Sequence, residues 1–276
     1  MDEMKVALCA IGRLENQYAV EFVEWYKNLG FDKIFIYDNN HDGEEYFEEV
    51  LQQFIDNEFV EIIPYRNVEK AQFSAYNECY AKHKNEYNWF AFFDFDEFLM
   101  LQKDDNIKLF LSRFSEDKQC ILINWMIMDD NDLVHNNGKP LMERFTRQMS
   151  TSCKGAHPFP ENDHVKSILR GGIDGIHFSD TPHSPNNDIV FCDAVGNICE
   201  YCYHKPCTFN GAYLKHFITK TIDEWLNNKM VRGTADREYD VFSWTYKIDD
   251  FFKFNERTKE KEEYIKRYES SIIRNR

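Results

Sequence analysis

Glycine and proline are scarce in this chain, at 11 and 7 of 276 residues. No Pro-rich, Gly-rich or low-complexity linker marks a domain boundary, and no internal repeat is present. The first turn, Gly12-Arg13-Leu14-Glu15, holds a single glycine. That is too few for the glycine-rich phosphate loop expected of a sugar-nucleotide nucleotidyltransferase. Positive charge is also short. Against 48 Asp and Glu stand 33 Lys and Arg, a net charge of −15 with a pI of about 5.1, which argues against nucleic acid as a partner. No apolar run reaches membrane-spanning length, and Met1-Asp2-Glu3-Met4-Lys5 does not read as a secretory leader. The expectation is therefore a cytoplasmic protein whose 8 cysteines are reduced. Cys9 and Cys120 sit in apolar runs, where cysteine acts as a small hydrophobe.

What is abundant is aromatic: 24 Phe and 15 Tyr in a chain that is 43% hydrophobic. They concentrate in Trp89-Phe90-Ala91-Phe92-Phe93-Asp94-Phe95-Asp96-Glu97-Phe98-Leu99. The opening run predicts a strand buried on both faces. Three carboxylates follow at its C-terminal end, where open α/β sheets bind ligands. In extended chain Asp94 and Asp96 point the same way. Two such carboxylates repel unless a cation lies between them, and Mg²⁺ or Mn²⁺ would bring a phosphate with it. The bland alternative is an acidic turn after a strand, since Asp-x-Asp is common by chance.

Upstream, strands are predicted at Lys5–Ile11, Lys33–Tyr37 and Val60–Ile63. Amphipathic helices are predicted at Asn16–Leu29, Glu44–Ile55 and Lys70–His83. This alternation predicts an α/β fold with a mostly parallel sheet flanked by helices. Downstream the pattern loosens. Gln119–Met128 is a strong strand, Glu143–Thr146 and Val165–Leu169 read as short ones, and residues 171–197 read as loop with brief strands. Lys215–Val231 looks helical in its second half, and Arg237–Glu269 reads as a long helical finish. The expected division is a domain over residues 1–235 and a helical C-terminal extension over 236–276. From Lys253 to Arg276, eight Lys and Arg face five Glu, so this segment could touch an anionic membrane at its inner face. A solvated helix is the plainer reading.

Strand ends sharing the Asp94 edge would carry Arg13 and Glu15 after the first strand, and Asp38, Asn39 and Asn40 after the second. A carboxylate after the second strand of a nucleotide-binding half commonly bonds a ribose or a base. Arg13 could meet a phosphate.

The chain resembles the GT-A glycosyltransferases of the family-2-like and family-92-like (DUF23) kind. The matching stretches run in order from Arg13-Leu14-Glu15-Asn16 and Gly30-Phe31-Asp32-Lys33-Ile34-Phe35-Ile36-Tyr37-Asp38-Asn39-Asn40 onward. They continue through Gln72-Phe73-Ser74-Ala75-Tyr76-Asn77, Phe93-Asp94-Phe95-Asp96-Glu97-Phe98, Glu143-Arg144-Phe145-Thr146 and Val165-Lys166-Ser167-Ile168. They end with His216-Phe217-Ile218-Thr219-Lys220-Thr221 and Lys229-Met230-Val231-Arg232-Gly233. The resemblance implies a GT-A (Rossmann-like) fold and a transferase moving a hexose from a UDP-sugar, with galactose the donor guess. The acceptor would be a glycan, either a cell-surface polysaccharide or a lipid-linked oligosaccharide. It implies Asp94, Asp96 and His216 as ligands of Mn²⁺ or Mg²⁺, with Lys166, Lys220 and Arg232 joining Arg13, Glu15, Asp38 and Asn39 around the nucleotide.

An inverting transfer also needs a base for the acceptor hydroxyl. Asp129 and Asp130, in the run Asp129-Asp130-Asn131-Asp132, are the candidates, although the family usually has a small, glycine-containing segment there. Cys199-x-x-Cys202 with His204 and Cys207 is crowded as a zinc site is, but lacks a second Cys-x-x-Cys. His157, His177, His183 and His204 read as loop residues, of which one or two could line an acceptor pocket. The competing function classes are a nucleotidyltransferase and a carbohydrate- or nucleotide-binding module without turnover.

Overall fold

The computed structural model describes residues 3–149, 162, 164–186, 188–199, 207–233 and 246–274. The chain divides into two compact units. The first comprises Met1–Met126, Glu161–His216 and Thr234–Tyr239, and the second Ile127–Pro160, Phe217–Gly233 and Asp240–Arg276.

The first unit is α/β. Strand β1 (Val6–Gly12), helix α1 (Asn16–Asn28), β2 (Lys33–Asp38), α2 (Glu48–Asp56), β3 (Val60–Pro64), α3 (Ala71–His83) and β4 (Trp89–Phe92) follow one another as the alternation predicts. β1 is buried at every residue, which its unbroken apolar sequence requires once helices cover both faces. Strands β3, β2, β1 and β4 pair in parallel, with Gly12 opposite Asp38 and Cys9 opposite Phe92. The sheet then turns mixed. β7 (Val165–Arg170) runs antiparallel to β4 and to β6 (Cys120–Ile127), and β8 (Phe191–Asp193) pairs parallel with β6. The strand order is β3-β2-β1-β4-β7-β6-β9-β5, with β5 at Glu97–Leu101 and β9 at Ala212–His216; helix α4 (Ile107–Leu111) follows β5 in the chain. One core cluster lies between the sheet and α3, gathering Cys9, Phe35, Tyr76, Tyr80, Phe90 and Phe92. Aromatic packing continues on α1, where Phe22 and Tyr26 meet Phe95, Phe98 and Phe93.

Two stretches for which the sequence predicts no strand form strands here. The residues after the Asp-x-Asp are not merely a turn but β5, antiparallel to β9 with Glu97 opposite His216. Lys215 and His216 lie in β9, ahead of the helical second half that the sequence predicts for Lys215–Val231. Strand pairing overrides the local signal, because β5 opens on a charged residue that sequence alone assigns to a loop.

The second unit is mainly helical. Glu143–Thr146, expected as a strand, instead includes the end of the short helix α5 (Leu141–Arg144), which begins directly after Pro140. Arg144 turns inward to a two-point ion pair with Glu224, at 2.8 and 2.9 Å. Helix α6 (Ile222–Glu224) starts on a Thr221–Glu224 capping box and passes through a π-helical turn (Trp225–Lys229) into α7 (Met230–Arg232). α8 (Ile248–Phe251) and α9 (Lys259–Arg274) complete it. Ile222, Trp225, Leu226, Phe251 and Ile265 form its core. Part of the expected long C-terminal helix, residues 237–245, lies outside the described residues.

Candidate functional site

The parallel strands β1, β2 and β4 deliver their C-terminal ends to one edge, which brings Gly12, Asp38 and the Asp94 segment together. Asp94 and Asp96 do not lie in extended chain. They occupy a turn closed by the Glu97 N–H donating to the Asp94 carbonyl at 3.0 Å. The residue between them, Phe95, is driven inward. Its ring stacks on Phe47 at 5.0 Å and packs on Phe22 at 4.7 Å. A Cβ on Gly12 would meet Phe95 at 2.6 Å and Phe47 at 2.8 Å. Gly12 is therefore a space requirement of the Phe95 anchor, and the anchor fixes where both aspartates stand.

Asp94 is held from three sides. Gln72 Nε2 donates to its Oδ1 at 2.9 Å and the Tyr76 hydroxyl does so at 3.2 Å. Lys166 Nζ donates to its Oδ2 at 2.7 Å. Gln72 and Tyr76 lie one turn apart on α3, which is why one helix face supplies both donors. The Asp94 side chain keeps 32% of its surface exposed, whereas the Lys166 side chain keeps 1%. Glu97 is wholly buried, accepts the Asp94 N–H at 2.9 Å, and stands 3.7 Å from Lys166. Burial opposes the Lys166 charge, but Asp94 and Glu97 outweigh it and raise the ammonium pKa. Burial pushes the Glu97 carboxyl up, with Lys166 pulling the other way.

Asp96 is buried and faces His216, with Nε2 3.5 Å from Oδ1. The β5–β9 register creates this approach by setting His216 opposite Glu97. Trp125 packs edge-on against His216 at 4.3 Å and stacks on His164 at 5.1 Å. His183 completes the group, its Nδ1 2.8 Å from the Val165 carbonyl. Burial, reinforced by Lys166, holds the His183 pKa well below its ordinary value. Trp125 and His164 carried no signal in sequence, because their neighbourhood exists only after β6, β7 and β9 converge.

The nucleotide-side candidates share the edge, but many of their polar groups bind one another. Arg13 forms a two-point pair with Glu44, at 2.9 and 2.6 Å. Asp38 accepts from Arg66 at 2.7 Å and from the Asn40 amide at 2.7 Å. Asn39 donates to the Tyr65 and Val68 carbonyls, both at 2.9 Å. Glu15 is buried at the start of α1. Leu14 adopts a left-handed backbone, φ 56°, with its N–H on Asn40 Oδ1. This is the kind of local strain that collects at functional edges.

A family model described as glycosyltransferase family 92 matches residues 4–275. The chain belongs to glycosyltransferase family 92. It is 36% identical over 255 residues to the family 92 protein At1g27200 of Arabidopsis thaliana, an alignment covering 85% of this chain and 41% of that protein. It is 27% identical over 107 residues to the family 92 protein RCOM_0530710 of Ricinus communis, covering 38% of this chain and 18% of that one. The chain thus spans less than half the length of these curated relatives. Among solved structures it is similar to S. aureus TarS 1-349, with a TM-score of 0.38 and 10% identity, covering 60% of this chain and 47% of that one.

The remaining expected residues of this family 92 chain lie in the second unit. Lys220 is buried with a left-handed backbone, φ 54°, just before the Thr221 cap, and Arg232 ends α7. Asp129 is paired to Arg147. Asp130 is paired to Lys261, both side chains being 0% exposed, and its N–H donates to Asn255 Oδ1 at 2.9 Å. Of the cysteine cluster, Cys199 and Cys207 are half-buried, while Cys202 and His204 lie outside the described residues, as does His157. Among the described residues no three His, Cys, Asp or Glu side chains gather in a cage for a metal ion. No helix among them is long and apolar enough to cross a membrane.

Proposed function

We propose that this chain transfers a hexose, with galactose first among the candidates, from a UDP-sugar to a glycan acceptor, using a divalent cation at Asp94 and Asp96. The acceptor is a surface polysaccharide or a lipid-linked oligosaccharide. The observation that supports this most is the Asp94 turn itself. A part-exposed carboxylate is preset by three donors at the C-terminal edge of a sheet, next to a buried Asp96–His216 pair.

The donor chemistry fits a hard cation. Mg²⁺ and Mn²⁺ favour carboxylate oxygen, and such ions are usually held by one or two carboxylates plus substrate phosphate rather than by a protein cage. When bound, the ion neutralises charge on the departing diphosphate. The chain's own work is positional. Gln72, Tyr76 and Lys166 fix Asp94, while Phe95 fixes the turn that carries both aspartates. The acceptor oxygen forms its bond to the anomeric carbon as the carbon–phosphate oxygen bond breaks, its electron pair leaving with the diphosphate. Asp129 and Asp130 are already engaged by Arg147 and Lys261, so the acceptor proton passes to the departing diphosphate, directly or through solvent.

The test is UDP release from a panel of UDP-sugars, with and without Mn²⁺. Turnover is expected with the ion, and Asp96→Asn is expected to lower it by about 10²-fold or more, the scale for losing a group that stabilises transition-state charge. Undiminished turnover in that variant would remove the metal role.

A further inference from the structure

Lys166 carries a charge into an unusual place. It sits second in β7, among Val165, Ser167, Ile168 and Leu169, all buried. Its side chain is 1% exposed. The ammonium lies 2.7 Å from Asp94 Oδ2 and 3.7 Å from Glu97 Oε2, above the Tyr76 ring at 5.9 Å. A buried ammonium persists only where carboxylates compensate it, and here two do. The reverse also holds, because Asp94 and Glu97 would repel each other without the lysine between them.

We propose that Lys166 is a built-in counter-cation that makes this site take up a divalent ion together with a diphosphate rather than alone. The inference rests on the metal reading of Asp94 and Asp96. An ion approaching Asp94 meets a carboxylate whose Oδ2 is already neutralised, and it is repelled by the ammonium beyond. Like charges a few ångströms apart in a poorly solvated site interact strongly. A nucleoside diphosphate adds further negative charge on the open side of Asp94, so the ion's attraction to the turn rises when the phosphates arrive with it. Lys166 is thus a positioning residue. It presets Asp94 before the donor binds and keeps free metal from occupying the turn. The sequence-based expectation that Lys166 contacts the nucleotide places its ammonium elsewhere. In the structure it is committed to Asp94 and Glu97.

The experiment is calorimetric titration of Mn²⁺ alone, UDP alone, and Mn²⁺ in the presence of saturating UDP. It is run on the wild-type chain and on Lys166→Gln and Lys166→Arg. Glutamine removes the charge while keeping an N–H for Asp94 Oδ2. Arginine keeps the charge. The wild type is expected to bind Mn²⁺ at least 100-fold more weakly alone than with UDP. Lys166→Gln is expected to bind Mn²⁺ alone at least tenfold more tightly than the wild type, and Lys166→Arg within about threefold of it. Should Lys166→Gln fail to fold, the double variant Lys166→Gln with Glu97→Gln, which removes the ammonium together with its second carboxylate, is titrated in its place. Equal Mn²⁺ affinity with and without UDP overturns the proposal, as does equal affinity in the wild type and Lys166→Gln. A wild type that binds Mn²⁺ under neither condition overturns the metal reading itself, and the role of Lys166 with it.

Discussion

Two acidic runs follow buried strands in this chain, Asp94–Glu97 after β4 and Asp129–Asp132 after β6, and they are partnered differently. In the first, Lys166 neutralises Asp94 from beneath while the carboxylate keeps 32% of its side-chain surface open. In the second, Asp130 and Lys261 are both 0% exposed, and Arg147 reaches both Asp129 and Asp132. The first run leaves Asp94 part-exposed at the sheet edge; in the second, Asp130 joins α9 to the loop after β6, and the exposed Asp132 is tied to Arg147. Carboxylate density alone therefore says little about function. What differs is the partner: a buried lysine behind Asp94, and an exposed arginine across Asp129 and Asp132.

The sharpest way to break this contrast is to make the same change in both runs. Asp130→Asn removes the nearer of the two carboxylates at the buried Lys261 charge, leaving Asp132 at 3.6 Å, and is expected to cost about 3 kcal/mol in urea unfolding. The double variant Asp130→Leu with Lys261→Met should recover most of that loss. If Asp130→Asn instead lowers turnover at unchanged stability, the second run is catalytic. Asp94→Asn is expected to lower UDP release by about 10²-fold or more. Its stability loss should be smaller than that of Asp130→Asn, because Asp94 is part-exposed whereas Asp130 is wholly buried.

Gly12→Ala probes the first run indirectly. Its new methyl would meet the Phe95 ring at 2.6 Å, so the turn must shift. Overpacking of this kind costs about 1–3 kcal/mol, and turnover should fall with it. A Gly12→Ala chain with native stability would show that the anchor is looser than its contacts imply. The smallest effect belongs to the rim. The hydrogen bond from Arg13 lowers the Glu44 carboxyl from 4.5 to about 2. A carboxylate lowered on folding adds stability above its unfolded pKa and loses it as pH falls from about 4.5 toward 2. Because solvent screens this pair, it should be worth no more than about 1 kcal/mol. Glu44→Gln should flatten the acid limb of the stability profile by that amount, read from urea midpoints between those pH values.

Much of the first unit was legible in the chain. Apolar runs of strand length and helical stripes gave β1 through β4 nearly to the residue, because each element's burial is written in its own period. β5 and α5 were not legible. Glu97 opens a strand because Lys166 compensates it and β9 pairs with it. Arg144 sits in a helix whose buried charge is answered by Glu224, 80 residues away. In both cases the deciding partner is distant in sequence, and local propensity carries no record of it.

The sequence by itself determined the alternating α/β frame, the family, and the aromatic strand that ends in carboxylates, since these depend on composition and period. Tertiary structure alone decided which charges are spent. It set Lys166 under Asp94, His216 beside Asp96 and Lys261 against Asp130. The reason is that a buried charge is stable only opposite its partner, and that partner is chosen by strand register and helix docking rather than by neighbours in the chain.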